Sequence, residues 1–350
     1  MDFLADYGLF FAKALTIVVA FLVVISAIAA QAMKNRSQQM HGHIEVKKLN
    51  DQFKEYEHQM QEVLLSEEEL KAKQKEEKKA EKAKRKKEKK ETGESKPRIF
   101  VLHFDGDIKA SELELLREEV TAILMVANKQ DEVVIVLESP GGMVHTYGLA
   151  ASQMKRIRDA GIHLTVAVDK VAASGGYLMA CVADNIIAAP FAVLGSIGVL
   201  AQIPNFNRAL KRIDVDYEVM TAGEFKAPIS MFGEITEKGR NKLKEELEET
   251  HGLFKNFITE HRPQVPIDQV ATGETWYGQR ALDHQLVDSI MTSDDYLMNR
   301  RHDHEIFAVR YVERKSLQEK LGRAFHQGFD SAINALFNRE QSVGSSKNIQ

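Results

Sequence analysis

The sequence has little of three residue types that often carry structure or chemistry. Its 350 residues include one cysteine, one tryptophan and seven prolines. The single cysteine, Cys181, excludes an intramolecular disulfide and a cysteine metal cluster, and its apolar neighbours indicate a small core residue. The net charge is only −4, which does not indicate nucleic-acid binding. We expect no nucleic-acid partner, no cofactor and no metal ion.

The N-terminal region lacks charge over a long apolar run, residues 14–32. A helix of that length spans roughly 29 Å, about one bilayer core, which predicts a membrane anchor within residues 1–32. The run is long for a cleaved signal peptide, although its Ala-Ile-Ala-Ala-Gln-Ala ending also fits a cleavage site. Lys34 and Arg36 follow the run, so the positive-inside rule places the rest of the chain in the cytoplasm.

Residues 33–97 are predicted to form a helix and a charged spacer. Apolar residues recur from Val46 to Val63 at alternating gaps of three and four, which is a short heptad seam. The seam predicts either a small coiled coil between the anchors of one oligomer or a helix lying on the next domain. Residues 67–96 are rich in lysine and glutamate and have almost nothing to bury, which indicates a solvated single helix or a disordered spacer.

Strand and helix patterns alternate across residues 98–310. The predicted strands are 99–104, 133–137, 162–168, 185–189 and 216–220, and the predicted helices are 111–127, 144–160 and 236–261. Apolar strands between amphipathic helices favour an α/β domain with a largely parallel sheet covered on both faces. The apolar stretch 186–203 is broken by Pro190 and Gly195, so it predicts short buried strands, not a second membrane span. Residues 311–350 predict a C-terminal amphipathic helix and a tail.

Two glycine-rich turns carry the candidate chemistry. Ser139-Pro140-Gly141-Gly142 follows one predicted strand, and Ala172-Ala173-Ser174-Gly175-Gly176-Tyr177 follows the strand that ends near residue 168. Glycines let backbone N–H groups face a ligand, as an oxyanion hole requires, and a helix N-terminus favours developing negative charge. Each turn alone also fits a plain packed turn, with Ser174 as a helix N-cap. In one parallel sheet the turns would share a crevice, which makes Ser174 a candidate nucleophile.

A serine nucleophile needs a base to remove its proton. No histidine occurs between Ser174 and His251, and His145, just after the Gly-Gly turn, is the histidine candidate. A lysine can serve instead where burial disfavours its ammonium form. Lys226 fits that role because it lies in a predicted loop after a predicted buried strand, between Phe225 and Ala227, although an isolated lysine also fits a plain surface position.

The two turns, together with Gly195-Ser196-Ile197-Gly198-Val199 and Gly223-Glu224-Phe225-Lys226, resemble the signal peptide peptidase A family of serine peptidases in order and spacing. The resemblance covers roughly residues 98–288. It implies a Clp-protease/crotonase-like fold and proteolysis by a Ser–Lys dyad. Ser174 would be the nucleophile, Lys226 the general base and Ser196 the hydroxyl that orients the lysine.

The same resemblance implies an oxyanion site, an oligomeric state, a cellular location and a class of substrate. Backbone N–H groups of Gly141, Gly142 and Gly175 would bind the oxyanion. Ala227-Pro228 departs from the family, because many members carry polar residues there. The protein would be a homo-oligomer in the bacterial inner membrane, cleaving peptides or unfolded proteins such as signal-peptide remnants and misfolded membrane-associated polypeptides. The resemblance places its catalytic domain on the periplasmic side, which we favour over the cytoplasmic side given by the charge count.

Two other functions fit parts of the sequence. One is a crotonase-like acyl-CoA enzyme, since one fold hosts many chemistries, and the other is a non-catalytic membrane scaffold that uses the heptad seam, the spacer and the C-terminal helix. A cytosolic acyl-CoA enzyme needs no anchor, and a scaffold needs neither Ser174 nor Lys226. We therefore expect a membrane-anchored serine endopeptidase.

Overall fold

The computed structural model describes residues 42–88 and 96–313. The predicted membrane anchor and nearly all of the predicted C-terminal helix lie outside these ranges. Within them, no helix combines the length and the apolar character that crossing a bilayer requires. The chain divides into two units: Ile44–Tyr311 is one, and Met1–His43 with Val312–Gln350 is the other. Only residues 42–43 and 312–313 of the second unit are described, so the architecture below is that of the first.

Strands and helices alternate along most of the described chain, as the apolar patterns predict. In order they are β1 (His43–Lys48), α1 (Leu49–Leu64), α2 (Glu67–Glu88), β2 (Arg98–Asp105), α3 (Leu113–Leu124), β3 (Glu132–Glu138), α4 (Val144–Asp159), β4 (His163–Val168), β5 (Val171–Ala173), α5 (Gly175–Ala180), β6 (Asn185–Ala188), β7 (Val193–Gly195), α6 (Asn207–Arg212), α7 (Glu237–His261), α8 (Ile267–Val270), β8 (Thr275–Tyr277), α9 (Gly278–Asp283), β9 (Ser289–Ile290), α10 (Ser293–Arg300) and β10 (Glu305–Val312).

The larger sheet runs in the order β1-β10-β2-β3-β4-β6-β9. The pairings from β10 across to β9 are parallel, and the central register sets Ile99 opposite Glu132 and Asp105 opposite Glu138. Strands β2, β3 and β4 are buried along most of their length, as expected of a parallel sheet whose two faces are both covered. The predicted α/β fold is confirmed as a mixed α/β fold built on a parallel sheet.

Successive strand residues point to opposite faces, so the sheet separates two apolar clusters. The larger cluster contains Leu102 and Ile135 and the inner faces of α3, α4 and α5, for example Val120 and Ile157. The smaller cluster, which includes Val134, lies on the other face. Fully burying a side chain the size of Ile157 stabilises the fold by about 1.5–3 kcal/mol, so these clusters hold the strand ends firmly in place.

A second, three-stranded sheet sits at the end of β3. β5 pairs in parallel with β7, with Ala173 opposite Gly195, and β7 pairs antiparallel with β8. A parallel bridge joins Ser139, just after β3, to Ala172. These pairings bring both glycine-rich turns and the stretch that begins at Gly195 to one place, as the shared-crevice hypothesis requires.

One predicted strand is wrong. Residues 216–220 were expected to form a buried strand, but they are exposed and belong to neither sheet of the described chain. Their alternating pattern suits a strand, yet a strand needs a neighbour with which to exchange backbone hydrogen bonds.

The predicted heptad seam is divided between a strand and a helix. Val46 lies on β1, so the seam is not one continuous helix. Leu49 and Phe53 of α1 pack against the smaller apolar cluster, whereas Tyr56 and Met60 are exposed. The start of α1 therefore lies on the domain, which was one of the two alternatives. Within the charged spacer, residues 67–88 form the single helix α2.

Candidate active site

Ser174 occupies a strained turn between β5 and α5. Its φ of 51° and ψ of −118° lie in a sparsely populated region that costs of order 1–3 kcal/mol. Its N–H donates to the carbonyl oxygen of Gly195 at 2.8 Å, which fixes the turn. Ser174 stands at the N-cap position of α5, yet its side chain makes no capping hydrogen bond. Because the hydroxyl does no capping, the interpretation of Ser174 as a plain N-cap is wrong.

The Gly141-Gly142 turn approaches Ser174 so closely that side chains are excluded. A Cβ placed on Gly141 would lie 2.7 Å from the Cβ of Ser174 and 2.6 Å from the backbone nitrogen of Gly175. Gly141 also has a φ of 88°, a conformation that glycine adopts readily and other residues do not. A Cβ on Gly142 would lie 2.1 Å from the carbonyl oxygen of Ile108. Glycine at both positions is what allows the two turns to meet.

Three backbone N–H groups were predicted to serve an oxyanion, and the structure distinguishes among them. The N–H of Gly141 donates to the Oγ of Ser139 at 3.1 Å, so it is already occupied. Within the described chain, the N–H groups of Gly142 and Gly175 have no acceptor, and both residues line one cavity with Ser174. Of the three predicted donors, Gly142 and Gly175 therefore have N–H groups available for a negatively charged oxygen at this site.

An apolar cavity of about 180 Å³ opens beside Ser174. Its walls come from α4, α5 and α7, with Leu178, Leu253, Phe254 and Phe257 among the lining residues. The sequence shows the apolar face of the long charged helix that is now α7, but it does not show what that face contacts. The cavity walls were therefore missed as candidate site residues.

The structure positions Ser196 and Lys226 differently relative to Ser174. Ser196 directly follows Gly195, the acceptor of the Ser174 N–H, and its own N–H donates to the carbonyl of Glu274 at 2.6 Å. Lys226 lies on an exposed turn, where its N–H donates to the carbonyl of Gly223 at 3.2 Å, and it does not line the cavity at Ser174. The expected burial of Lys226 is not found in the single chain, because the strand predicted to precede it does not form.

His145, the alternative base, lies in the first turn of α4 and is exposed. It does not line the cavity that contains Ser174. In the described parts of the chain, no group of three or more histidine, cysteine or acidic side chains is arranged to hold a metal ion.

A largely buried ion pair lies beside Tyr177 of α5, the helix that follows Ser174. Arg262 is 2% exposed, and its guanidinium donates to both carboxylate oxygens of Asp288, at 2.8 and 3.0 Å. Burial alone would lower the pKa of Arg262, but its hydrogen bond to Asp288 leads to a raised pKa.

Nearby, burial raises the pKa of the Cys181 thiol far above its usual range. The thiolate is the nucleophilic form of cysteine, so Cys181 is inert as a nucleophile.

Comparison with known protein families gives the class of this molecule. The model described as "Peptidase family S49 N-terminal" matches residues 2–154, and the model described as "Peptidase family S49" matches residues 156–306. The mixed α/β fold and the Ser174 turn are thus those of a peptidase. The chain belongs to peptidase family S49, a family of serine proteases. The expected resemblance to a family of serine peptidases is confirmed.

Relatives match over nearly the whole chain. "Probable protease SohB" of Haemophilus influenzae is 52% identical over 342 residues, covering 96% of this chain and 96% of the relative. "Probable protease SohB" of Buchnera aphidicola subsp. Acyrthosiphon pisum is 44% identical over 337 residues, covering 96% and 98%. Among solved structures, the membrane-bound stomatin-specific protease 1510-N in complex with a substrate peptide is 14% identical, with a TM-score of 0.39, covering 65% of this chain and 97% of that chain.

Proposed function

We propose that this protein is a membrane-anchored serine endopeptidase that uses Ser174 as nucleophile and Lys226 as general base. The observation that carries the proposal is the turn at Ser174, whose hydroxyl does no capping and which shares a cavity with Gly142 and Gly175. Such a turn combines a nucleophile with preorganised donors for an oxyanion. Membership of a peptidase family supports this reading over an acyl-CoA enzyme or a scaffold.

The proposed reaction has two halves. The uncharged amine of Lys226, oriented by the Ser196 hydroxyl, accepts the proton of Ser174 as its Oγ attacks the peptide carbonyl carbon. The carbonyl oxygen becomes an oxyanion that accepts hydrogen bonds from the N–H groups of Gly142 and Gly175. The ammonium of Lys226 then protonates the leaving amine, which leaves an ester on Ser174. The same lysine removes a proton from water as the water attacks the ester, and its ammonium then protonates the departing Oγ of Ser174, so that a carboxylic acid product leaves and the free enzyme is restored.

Lys226 must become less exposed for this role. It lies in a segment, residues 199–235, that leaves many large apolar side chains exposed: Leu200, Ile203, Phe206, Ile213, Val215, Tyr217, Val219, Met220, Phe225, Met231 and Phe232. Exposed apolar surface of this extent is typical of an interface. We therefore infer that copies of the chain assemble through this segment. Assembly would bury the lysine and disfavour its ammonium form, and each subunit would have the Clp-protease/crotonase-like fold.

The cavity beside Ser174 supports a preference for apolar substrates. Its lining by Leu178, Phe254 and Phe257 suits an apolar side chain next to the bond that is cut. Signal-peptide remnants and misfolded membrane-associated polypeptides are rich in such residues. With the predicted N-terminal anchor, this supports action at the bacterial inner membrane, and we favour the periplasmic side.

A fluorescent fluorophosphonate, which reacts with activated serines, tests the dyad on the purified full-length protein. We expect labelling of the wild type and none of Ser174→Ala or Lys226→Ala. Lys211→Ala is the matched control, because Lys211 is an exposed lysine of the same segment that pairs with Glu234, and it should label like the wild type. Full labelling of Lys226→Ala would refute the lysine as base. A monomer at every concentration in light scattering would refute the assembly.

A further inference from the structure

A chain of buried hydrogen bonds runs behind the Gly141-Gly142 turn. The N–H of Gly141 donates to the Oγ of Ser139 at 3.1 Å, and the Oγ of Ser139 lies 2.6 Å from the hydroxyl of Tyr147. That hydroxyl donates to the backbone carbonyl of Asp107 at 2.7 Å. Ser139 and Tyr147 are both 0% exposed. Neither residue is among those predicted from the sequence to act at the site.

The acceptor at the end of the chain fixes the direction of every bond in it. A carbonyl oxygen has no proton to give, so Tyr147 must donate to Asp107. The single proton of Tyr147 is then used, and Ser139 must donate its own proton to Tyr147. The lone pairs of Ser139 are thereby left to accept from Gly141. Burial raises the pKa of Tyr147, so the phenol keeps the proton on which this order depends.

Tyr147 also contacts the turn that carries Ser174. A Cβ on Gly175 would lie 2.5 Å from the Cγ of Tyr147, so the tyrosine ring packs directly on the residue after the candidate nucleophile. The backbone of Ser139 bonds to β5, the strand that leads into Ser174. The Ser139 N–H donates to the carbonyl of Val171 at 2.8 Å, and the Ser139 carbonyl accepts from the N–H of Ala173 at 3.0 Å. Tyr147 therefore acts on both turns: its hydroxyl is linked through Ser139 to the Gly141-Gly142 turn, and its ring packs on Gly175 in the Ser174 turn.

We propose that Tyr147 and Ser139 are positioning residues, which together set the distance and direction between the two oxyanion donors, the N–H groups of Gly142 and Gly175. The inference rests on the proposed function of those groups. The N–H of Gly141 points toward the Oγ of Ser139, to which it donates. This bond fixes the orientation of the next peptide, whose N–H, that of Gly142, has no acceptor in the described chain. The Tyr147 ring limits how far Gly175 can move toward it.

Water cannot easily replace either hydroxyl. A Cβ on Gly106 would lie 2.5 Å from both the Ser139 Oγ and the Tyr147 hydroxyl, so the backbone encloses the pair from that side as well. A buried water needs a space of its own and about two to four polar partners, and the close approach of Gly106 leaves little room for one. Removing either hydroxyl should therefore leave buried partners unsatisfied and let the Gly141-Gly142 turn shift.

The test compares the full-length wild type with Tyr147→Phe, Ser139→Ala and the double variant. The readouts are the rate of fluorophosphonate labelling and the kinetics of a fluorogenic peptide ending in leucine–aminomethylcoumarin. Loss of a whole oxyanion donor costs about 10²–10³ in kcat, so a misaligned donor should cost roughly tenfold to hundredfold. We expect this loss in kcat with KM unchanged, and an unshifted pH profile because the base is untouched. The double variant should lose no more than the worse single variant, since both hydroxyls belong to one chain.

Tyr177→Phe is the matched control. Tyr177 is also 0% exposed, and its hydroxyl donates to a backbone carbonyl, that of Leu286, at 2.9 Å. Removing the Tyr177 hydroxyl should lower the melting temperature as much as Tyr147→Phe does, and it should leave kcat per folded molecule unchanged. Equal kcat for Tyr147→Phe and Tyr177→Phe would overturn the inference, as would losses that multiply in the double variant. Peptide turnover by the Ser174→Ala variant at the wild-type rate would instead overturn the proposed function.

Discussion

The N–H of Ser174 donates to the carbonyl of Gly195 over 2.8 Å, and this bond ties the candidate nucleophile to the turn that carries Ser196. Ser174 and Ser196 both have positive φ, at 51° and 50°. Such conformations persist in non-glycine residues only where the surroundings hold them. Here β5 and β7 pair in parallel and end together at Ala173 and Gly195, so each strained turn is held against the other.

Replacing Ser174 with glycine should relieve this strain. The strain costs of order 1–3 kcal/mol, and the greater unfolded-state freedom of glycine offsets about 0.4–1 kcal/mol of the gain. We expect Ser174→Gly to be about 1 kcal/mol more stable than Ser174→Ala, measured by urea unfolding, with both variants unlabelled by fluorophosphonate. If the glycine variant were no more stable than the alanine variant, the turn would not be storing strain.

Adding a methyl group to Gly141 should separate the two turns. The new Cβ would meet Ser174 and Gly175 below 3 Å, and alanine is strained at the φ of 88°. We expect Gly141→Ala to lose about 1–3 kcal/mol of stability and at least roughly tenfold in labelling rate. Gly252→Ala is the control, since a Cβ there meets nothing within 4 Å and alanine favours a helix by roughly 0.5–1 kcal/mol. Equal labelling of the two variants would contradict the close approach.

Much of this architecture can be predicted from the sequence because burial leaves a local pattern. The apolar runs of β2 and β3 and the amphipathic α7 are such patterns, as is the short glycine-rich turn at Ser174. Contacts between segments that are distant in the sequence leave no local pattern. The apolar spacing of Phe254 and Phe257 predicts a buried face without showing that the face lines a cavity at Ser174.

Residues 216–220 and Tyr147 show the same limit. Alternating apolar residues suit a strand, but whether a strand forms depends on a partner elsewhere in the chain or in another copy. Tyr147 is one apolar position of α4, and nothing nearby in the sequence shows that its hydroxyl meets Ser139. In both cases the deciding contact is set by the fold.

Filling the cavity beside Ser174 should change specificity. Gly148 lines the cavity, and a Cβ there meets nothing within 4 Å, so the side chain of Gly148→Leu has room to enter. We expect kcat/KM for a peptide ending in leucine–aminomethylcoumarin to fall by about 10–200-fold, and the alanine analogue to fall less. Gly252→Leu, on α7 and outside the cavity lining, should change neither. An equal loss for both substrates would mean damaged chemistry, and the cavity would not be the specificity site.

Glu119 should make the fold less stable as pH rises. It is 1% exposed, and burial raises the pKa of its carboxyl despite the hydrogen bond donated by the Tyr311 N–H at 2.8 Å. A glutamate in the unfolded chain has a pKa of about 4.3. Because the folded pKa is higher, the stability that the protonated form contributes is complete below about pH 4.3 and is lost as pH rises through the folded pKa.

Glu119→Gln removes this titration and keeps an amide oxygen that can accept from Tyr311. We expect the variant to be more stable than the wild type at pH 7, with the difference vanishing toward pH 4, measured by urea unfolding across that range. Glu118→Gln is the control, because Glu118 is its exposed neighbour on α3 and should show no such trend. A difference that stays constant with pH would mean that the glutamine acts through packing, since only a group that titrates differently in the folded and unfolded states makes stability depend on pH.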